Sequence, residues 1–477
     1  MSGRRLLQIW LLMAMAQLPW VRGALADEAP AAPAPADAPV AATPAPPVAA
    51  PAPPKSLDAA PGRFEAHVEL LNMLVHRSDS DFDSTAPKYN ANGQSIGAIA
   101  TVLKPKLSWR LGDELHIYWE TEVGLNYWSK NNPDQENPTA PDYFVVKQRE
   151  IFAEGKVLNG NLGYKVGYQY FSDPTALFLG HWIGMAQART PLGQTTTGTL
   201  FAGQVPDQTL EGLNITQNNF THDIFVFGAR LDSDLTRGVA LHAGLTNLYD
   251  ASIIGQTRWV ASPSVRLELR GSQATGFVDA ILQYGNSQGS GQGGIDQTIL
   301  AWAAQGHLLV PMGAVDLALN ALALSADDAH EGNNRSGGFL YSSKSSSATV
   351  LLTEDEHRNW YDQLDRRMAR YQGGFWTHRA GLMVADAKAT WRASEAFRPA
   401  LICGVSTVLN PDNALGNRLV GVEGAVDLGW HASEAVSAHL LGGVLLPGRA
   451  GAALINQMNL AATDPIYTVE AALKTRF

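Results

Sequence analysis

Only one of the 477 residues is cysteine, Cys403. A lone thiol forms no internal disulfide and has no partner for a redox pair or a thiolate zinc site, so its plain role is a small apolar strand residue. Charge is also scarce, at 17% Asp, Glu, Lys and Arg, and the balance is −10. That balance lacks the basic footprint that neutralises phosphate, which argues against nucleic acid as a partner. Long apolar runs are missing as well. Beyond the first 26 residues nothing approaches the roughly 18 consecutive apolar residues of a membrane helix, so a helical membrane protein is excluded. Catalytic signatures are thin. No His-Glu-x-x-His occurs, and segment 172–221 holds Gly193-Gln194-Thr195 but no Gly-x-Ser-x-Gly. The paired acids Glu120 and Glu122 have no obvious His partner in the sequence. These absences speak against an enzyme, and nothing in the sequence calls for a cofactor or a metal.

What is present begins at the amino end. Arg4 and Arg5 precede an apolar stretch from Leu6 to Leu18, and Ala24-Leu25-Ala26 supplies a small-x-small cleavage pattern. Residues 1–26 therefore read as a signal peptide, the apolar run being too short for a membrane anchor. Residues 27–61 are almost pure Ala and Pro, a composition that cannot bury a core and favours extended polyproline II. Fully extended, such a linker reaches on the order of 100 Å. It serves either as a periplasmic tether or as a plain disordered tail.

From Gly62 to Phe477 short alternating runs take over. Leu115, Ile117, Trp119, Thr121, Val123, Leu125 and Tyr127 share one face of a strand, and His116, Glu120, Glu122 and Asn126 share the other. Sixteen strands are predicted, at 62–76, 96–111, 114–128, 143–157, 161–171, 222–233, 238–250, 260–270, 275–284, 297–310, 313–325, 375–392, 396–409, 417–430, 435–447 and 464–477. Boundaries that shift by a few residues also accommodate 14 or 18. Connections alternate between tight turns and long polar loops. Leu111-Gly112-Asp113, Asn159-Gly160-Asn161 and Pro311-Met312-Gly313 are tight; 77–95, 129–142, 172–221, 285–296, 326–374 and 448–463 are long. Two further turns nearly repeat, Arg392-Ala393-Ser394-Glu395-Ala396 and His431-Ala432-Ser433-Glu434-Ala435, each after a tryptophan, Trp391 and Trp430. Sorting of loops by length is how transmembrane barrels are built. The fold class expected is therefore all-β, a transmembrane antiparallel up-and-down barrel over 62–477 with both ends on the short-turn, periplasmic side.

Tyr467, Val469, Ala471, Leu473, Thr475 and Phe477 alternate on one face of the last predicted strand. This resembles the terminal signal of Gram-negative outer-membrane barrels, in which a final Phe is read by the barrel-assembly machinery. The resemblance implies an outer-membrane location and a porin-like fold. In general porins the third long loop folds inward as a constriction, and segment 172–221 is in the corresponding place. Its start, Ala176 to Met185, is too apolar for a solvated loop, so Phe178, His181, Trp182 and Arg189 are the constriction candidates; packing on the outer rim or at an oligomer contact is the alternative. In loop 326–374, Thr353 and Glu356 form a capping box ahead of a helix carrying Trp360, Leu364, Met368 and Tyr371. That helix is either a lid or a rim helix.

Apolar alternation turns Lys104, Lys106, Arg110, Lys147, Arg149, Lys165, Arg230, Arg266, Arg270 and Arg379 toward the lumen, against the acids Glu69, Glu120, Glu122 and Glu268. Rings of lumen charge set ion preference, and this tally points to anionic solutes. Strands 143–157 and 375–392 have ambiguous phase. The leading reading is a pore for small hydrophilic solutes. A second is an export conduit for a secreted polysaccharide, since Gly167-Tyr168-Gln169 and Ala176 to Gly184 are faintly similar to alginate-export-type barrels. A barrel-wall enzyme is the third.

Overall fold

The computed structural model describes residues 62–78, 96–112, 114–128, 144–205, 224–251, 257–289, 296–328, 334–340, 345–353, 380–455 and 463–477. The predicted signal peptide, the Ala/Pro linker and the helix expected after Thr353 lie outside these residues.

The described residues form one antiparallel sheet closed on itself. Its strands are β1 (Phe64–Arg77), β2 (Ile96–Leu111), β3 (Leu115–Trp128), β4 (Phe144–Val157), β5 (Leu162–Ser172) and β6 (Gly180–Pro191). Next come β7 (Thr196–Val205), β8 (Ile224–Thr236), β9 (Val239–Asp250), β10 (Thr257–Arg270), β11 (Thr275–Gln288), β12 (Gln297–Met312) and β13 (Val315–Leu324). A two-residue β14 (Arg335–Ser336) runs parallel to the start of β12 and is not part of the wall. The wall resumes with β15 (Leu382–Trp391), β16 (Phe397–Thr407), β17 (Leu419–His431), β18 (Val436–Pro447) and β19 (Ile466–Arg476). Each wall strand pairs with its sequence neighbours, β13 with β15, and β19 returns to β1.

The barrel thus has 18 strands, not the 16 expected from sequence. The two missing ones, β6 and β7, fall inside segment 172–221, where a single long loop is expected. They form a wall hairpin whose turn at 192–195 belongs to the short-turn end. The alternation is hidden there for a physical reason. Ile183, Met185, Phe201 and Val205 are all buried apolar residues of an interior cluster. A strand apolar on its inner as well as its outer face loses the period-2 signature.

Alternation holds clearly elsewhere. In β11, Val278, Ala280, Leu282 and Tyr284 are exposed, whereas Asp279, Ile281 and Gln283 between them are buried. The outer surface is therefore apolar and the polar side chains point in, the reverse of a water-soluble sheet. Exposed aromatic residues gather at two levels. Trp109, Trp391, Phe397 and Trp430 lie near the short turns, and Tyr170, Tyr249, Tyr284 and Tyr467 near the long loops. Such paired girdles bound the apolar band of a membrane barrel.

The ambiguous phase of β4 has a local cause. Glu120 pairs with Glu150 but Thr121 pairs with Gln148, so Arg149 is an extra residue, a β-bulge. The bulge lets the Arg149 side chain reach Glu122 from a position that strict alternation leaves undecided. Closure of the barrel is marked by a charge cluster. Glu69 of β1 accepts from Lys474 at 2.9 Å and Arg476 at 3.2 Å, both on β19, with Lys104 of β2 at 3.7 Å. Beside it, Val68 and Phe477 exchange backbone bonds of 3.1 and 2.8 Å.

Candidate functional site: a lumen crossed by two segments

Two connections at the long-loop end fold into the barrel. The first is residues 173–179, between β5 and β6. Asp173 shapes it: one carboxylate oxygen accepts from the Thr175 amide (2.9 Å) and hydroxyl, the other from the Leu179 amide (2.8 Å). Burial pushes the Asp173 carboxyl above the ordinary carboxylate range, against the opposing pull of those bonds and of the Arg266 charge. Leu177, Phe178 and Leu179 are buried against Phe171, Ile183, Met185 and Phe201.

The tip of this segment is held by strands well round the wall. The Thr175 carbonyl accepts from Arg266 of β10 at 3.0 Å and from Gln305 of β12 at 2.9 Å. Asp279 of β11 fixes both donors, accepting from Arg266 at 2.7 and 2.8 Å and from Gln305 at 2.6 Å. Arg266 also lies 4.1 Å above the Phe277 ring. On β9, a Cβ added to Gly244 would meet the Pro174 ring at 2.8 Å, so that glycine makes room for the segment.

The second segment follows β13. Gln283 of β11 binds both backbone groups of Leu340, at 2.8 and 2.9 Å, as a neighbouring strand would. The Ser346 amide donates to Gln305 at 3.2 Å, so a single wall glutamine holds both segments. The Ala348 amide donates to Asp386 of β15 at 3.0 Å. Three consecutive amides, Val350, Leu351 and Leu352, donate to the Glu423 carboxylate of β17 at 2.6, 2.8 and 2.7 Å. Val350 and Leu351 are completely buried. A Cβ at Gly404 of β16 would sit 2.4 Å from the Thr349 methyl. Backbone amides that leave regular structure inside a protein need such acceptors, because burying them unpaired is costly.

Away from these segments the lumen is lined by ion pairs. Lys106 meets Glu120 at 3.2 Å, Arg149 meets Glu122 at 2.6 Å, and Arg230 meets Asp232 at 2.7 Å. Arg270 bridges Glu268 at 2.9 Å and Asp234 at 3.1 Å. His242 lies between Asp232 (2.6 Å) and Glu268 (3.2 Å), and Lys388 faces Asp427 at 3.6 Å. Lys104 and Arg110 share the inward row of β2 with Lys106. Lys165 sits 3.7 Å over the Phe152 ring. Lys147 lies opposite Glu122 in register, but its side chain, like that of His181, is outside the described residues, as is Arg379. The sequence tally counted the bases and missed much of the acid: Glu154, Asp232, Asp279, Asp386, Glu423 and Asp427 also face inward.

The constriction candidates separate. Phe178 is buried in the first in-folded segment. Trp182 and Arg189 belong to wall strand β6, not to a loop. Trp182 stacks edge-on with Tyr170 at 5.3 Å, with the Arg149 guanidinium 4.5 Å over its ring. Arg189 is exposed, opposite Gly163.

An 18-strand closed antiparallel barrel with an apolar exterior, a charged interior and loops turned inward is an outer-membrane-type β-barrel. Solved structures share the fold. OccK9 (OpdG) of Pseudomonas aeruginosa matches with a TM-score of 0.55 at 11% identity, over 87% of this chain and 98% of that one. OccK8 (OprE) of the same organism gives 0.52 at 9%, over 88% and 99%. OccAB4 of Acinetobacter baumannii gives 0.52 at 10%, over 87% and 98%. At such identity the likeness is one of fold. The similarity to alginate-export barrels finds no support among these neighbours. No protein-family model matches the sequence, and no curated protein matches it.

Proposed function

We propose that this chain is a channel of the Gram-negative outer membrane that admits small hydrophilic solutes selectively. The observation that carries the reading is the pair of in-folded segments, bonded to the wall by Gln305, Asp386 and Glu423 inside a barrel wide enough for a lumen. A plain open pore has no need of them. The fold shared with the Occ channels supports the same reading, and the apolar belt with its girdles supports the membrane location. Both barrel ends then lie in the periplasm, and Phe477 is available to the assembly machinery.

Selectivity here comes from shape more than from net field. The lumen bases have acid partners within salt-bridge distance at Lys104, Lys106, Arg149, Arg230, Arg266 and Arg270. Paired charges project little potential into the pore, so the sequence-level argument for anionic solutes weakens. No observation favours polysaccharide export. Purified barrels in a planar bilayer, under a salt gradient, test the reading: small conductance with a modest reversal potential is expected. Absence of both ion conductance and solute uptake into proteoliposomes would refute it.

A further inference from the structure

On the inner face of β2, β3 and β4, at the short-turn end, three side chains form a relay. The Ser108 hydroxyl lies 2.8 Å from Nε2 of His116, and Nδ1 of His116 lies 3.0 Å from the Glu154 carboxylate. We propose that Ser108 is an activated nucleophile and that this end of the lumen hydrolyses small carboxylic esters, a second activity independent of passage through the barrel.

The arrangement is more specific than a wall ion pair. The Glu154 carboxylate accepts a hydrogen bond from Nδ1–H, which fixes the tautomer and leaves Nε2 as an acceptor. Nε2 is the nitrogen that faces Ser108, so the ring is set to receive the hydroxyl proton. Adjacent strands impose the geometry: His116 stands opposite Glu154 in register, and Ser108 is one inward step from the residue facing His116. The site is open to the lumen, with side-chain exposures of 17% for His116 and 40% for Glu154. Lys106, itself paired with Glu120 at 3.2 Å, and Arg110 flank Ser108 in the same inward row. Tyr118 and Phe152 stack at 5.2 Å beside the His116 ring and wall one side of the site.

In the reaction, Ser108 Oγ bonds to the ester carbonyl carbon while its proton passes to Nε2 of His116. The carbonyl π electrons move to oxygen and return as the alkoxide leaves, and the alkoxide takes the proton from His116. Water, deprotonated by His116, then attacks the acyl-serine, releasing the carboxylic acid and restoring Ser108. The sum is ester plus water to acid plus alcohol.

The test uses the full-length protein in detergent with a fluorophosphonate probe, mapped by mass spectrometry, alongside hydrolysis of p-nitrophenyl butyrate. A covalent adduct at Ser108 is expected, absent in S108A. Loss of the general base in H116A should slow labelling by roughly 10²–10⁴-fold. E154Q, which removes only the positioning charge, should slow it less and alter the pH profile. Heat-modifiable electrophoretic mobility confirms that each variant is a closed barrel, and H116Q replaces H116A if the latter does not assemble. No adduct at Ser108 in folded protein, or equal labelling of H116A, would overturn the proposal. S108A should leave conductance unchanged, so the channel reading stands or falls separately.

Discussion

Replacing Glu423 with alanine should release the second in-folded segment while the wall stays closed. The carboxylate accepts three backbone bonds of 2.6–2.8 Å from Val350, Leu351 and Leu352, in a fully buried position. Hydrogen bonds to a charged group contribute about 1.5–3 kcal/mol each, and an orphaned buried amide costs about 1–3 kcal/mol. Water admitted from the lumen recovers part of that, so about 3–5 kcal/mol is a reasonable loss for the inward arrangement. At 1.4 kcal/mol per factor of ten, the released state should gain roughly a hundred- to a few-thousand-fold. Hydrogen exchange at the three amides reads this directly, and bilayer recordings should show larger or longer openings than wild type. E423Q keeps one acceptor oxygen and should fall between. Unchanged exchange at 350–352 in a closed E423A barrel would refute the latch.

Three further outcomes are expected. Gly404→Val, whose side chain would overlap the Thr349 methyl, should displace the same segment without altering any charge; normal exchange at 348–352 would count against close packing there. Gln305→Ala removes an acceptor from one segment and a donor from the other, at about 1–3 kcal/mol, so exchange should quicken at both 175–179 and 346–352. A change confined to one segment would show that Gln305 does not couple them. Cys403 is exposed on the outer face of β16. In vesicles it should resist a charged, membrane-impermeant thiol reagent yet react with a bilayer-soluble maleimide; rapid labelling by the charged reagent would place that face in water.

Much of the wall was legible in the sequence because turns and strand alternation are local signals. Gly112, Gly160 and Gly313 all adopt the left-handed backbone that tight turns demand, and each marks a turn the spacing predicts. The last strand also alternates as read, with Tyr467, Val469, Leu473 and Phe477 outward. The β6–β7 hairpin was not legible, because its inner face is apolar wherever Leu177 and Phe178 pack on it. Thr196-Thr197-Gly198-Thr199 adds little hydrophobic contrast to reveal the return strand. The site was hidden for a different reason. Glu423 meets its three amides from more than 70 residues away, and Gln305 meets Thr175 across 130. No local pattern encodes such pairings. The triad-like relay was invisible for the same cause, since Glu154 enters only through strand register.

The cluster at Glu69 carries a consequence for biogenesis. Its acid is contributed by the first strand and two of its compensating cations by the last, so the charge stays poorly neutralised until the two ends of the sheet meet. An open sheet leaves Glu69 with Lys104 of β2, and joining β1 to β19 adds the two nearer cations. Closing the barrel and completing this cluster are one event, so the seam favours the finished barrel over an open sheet.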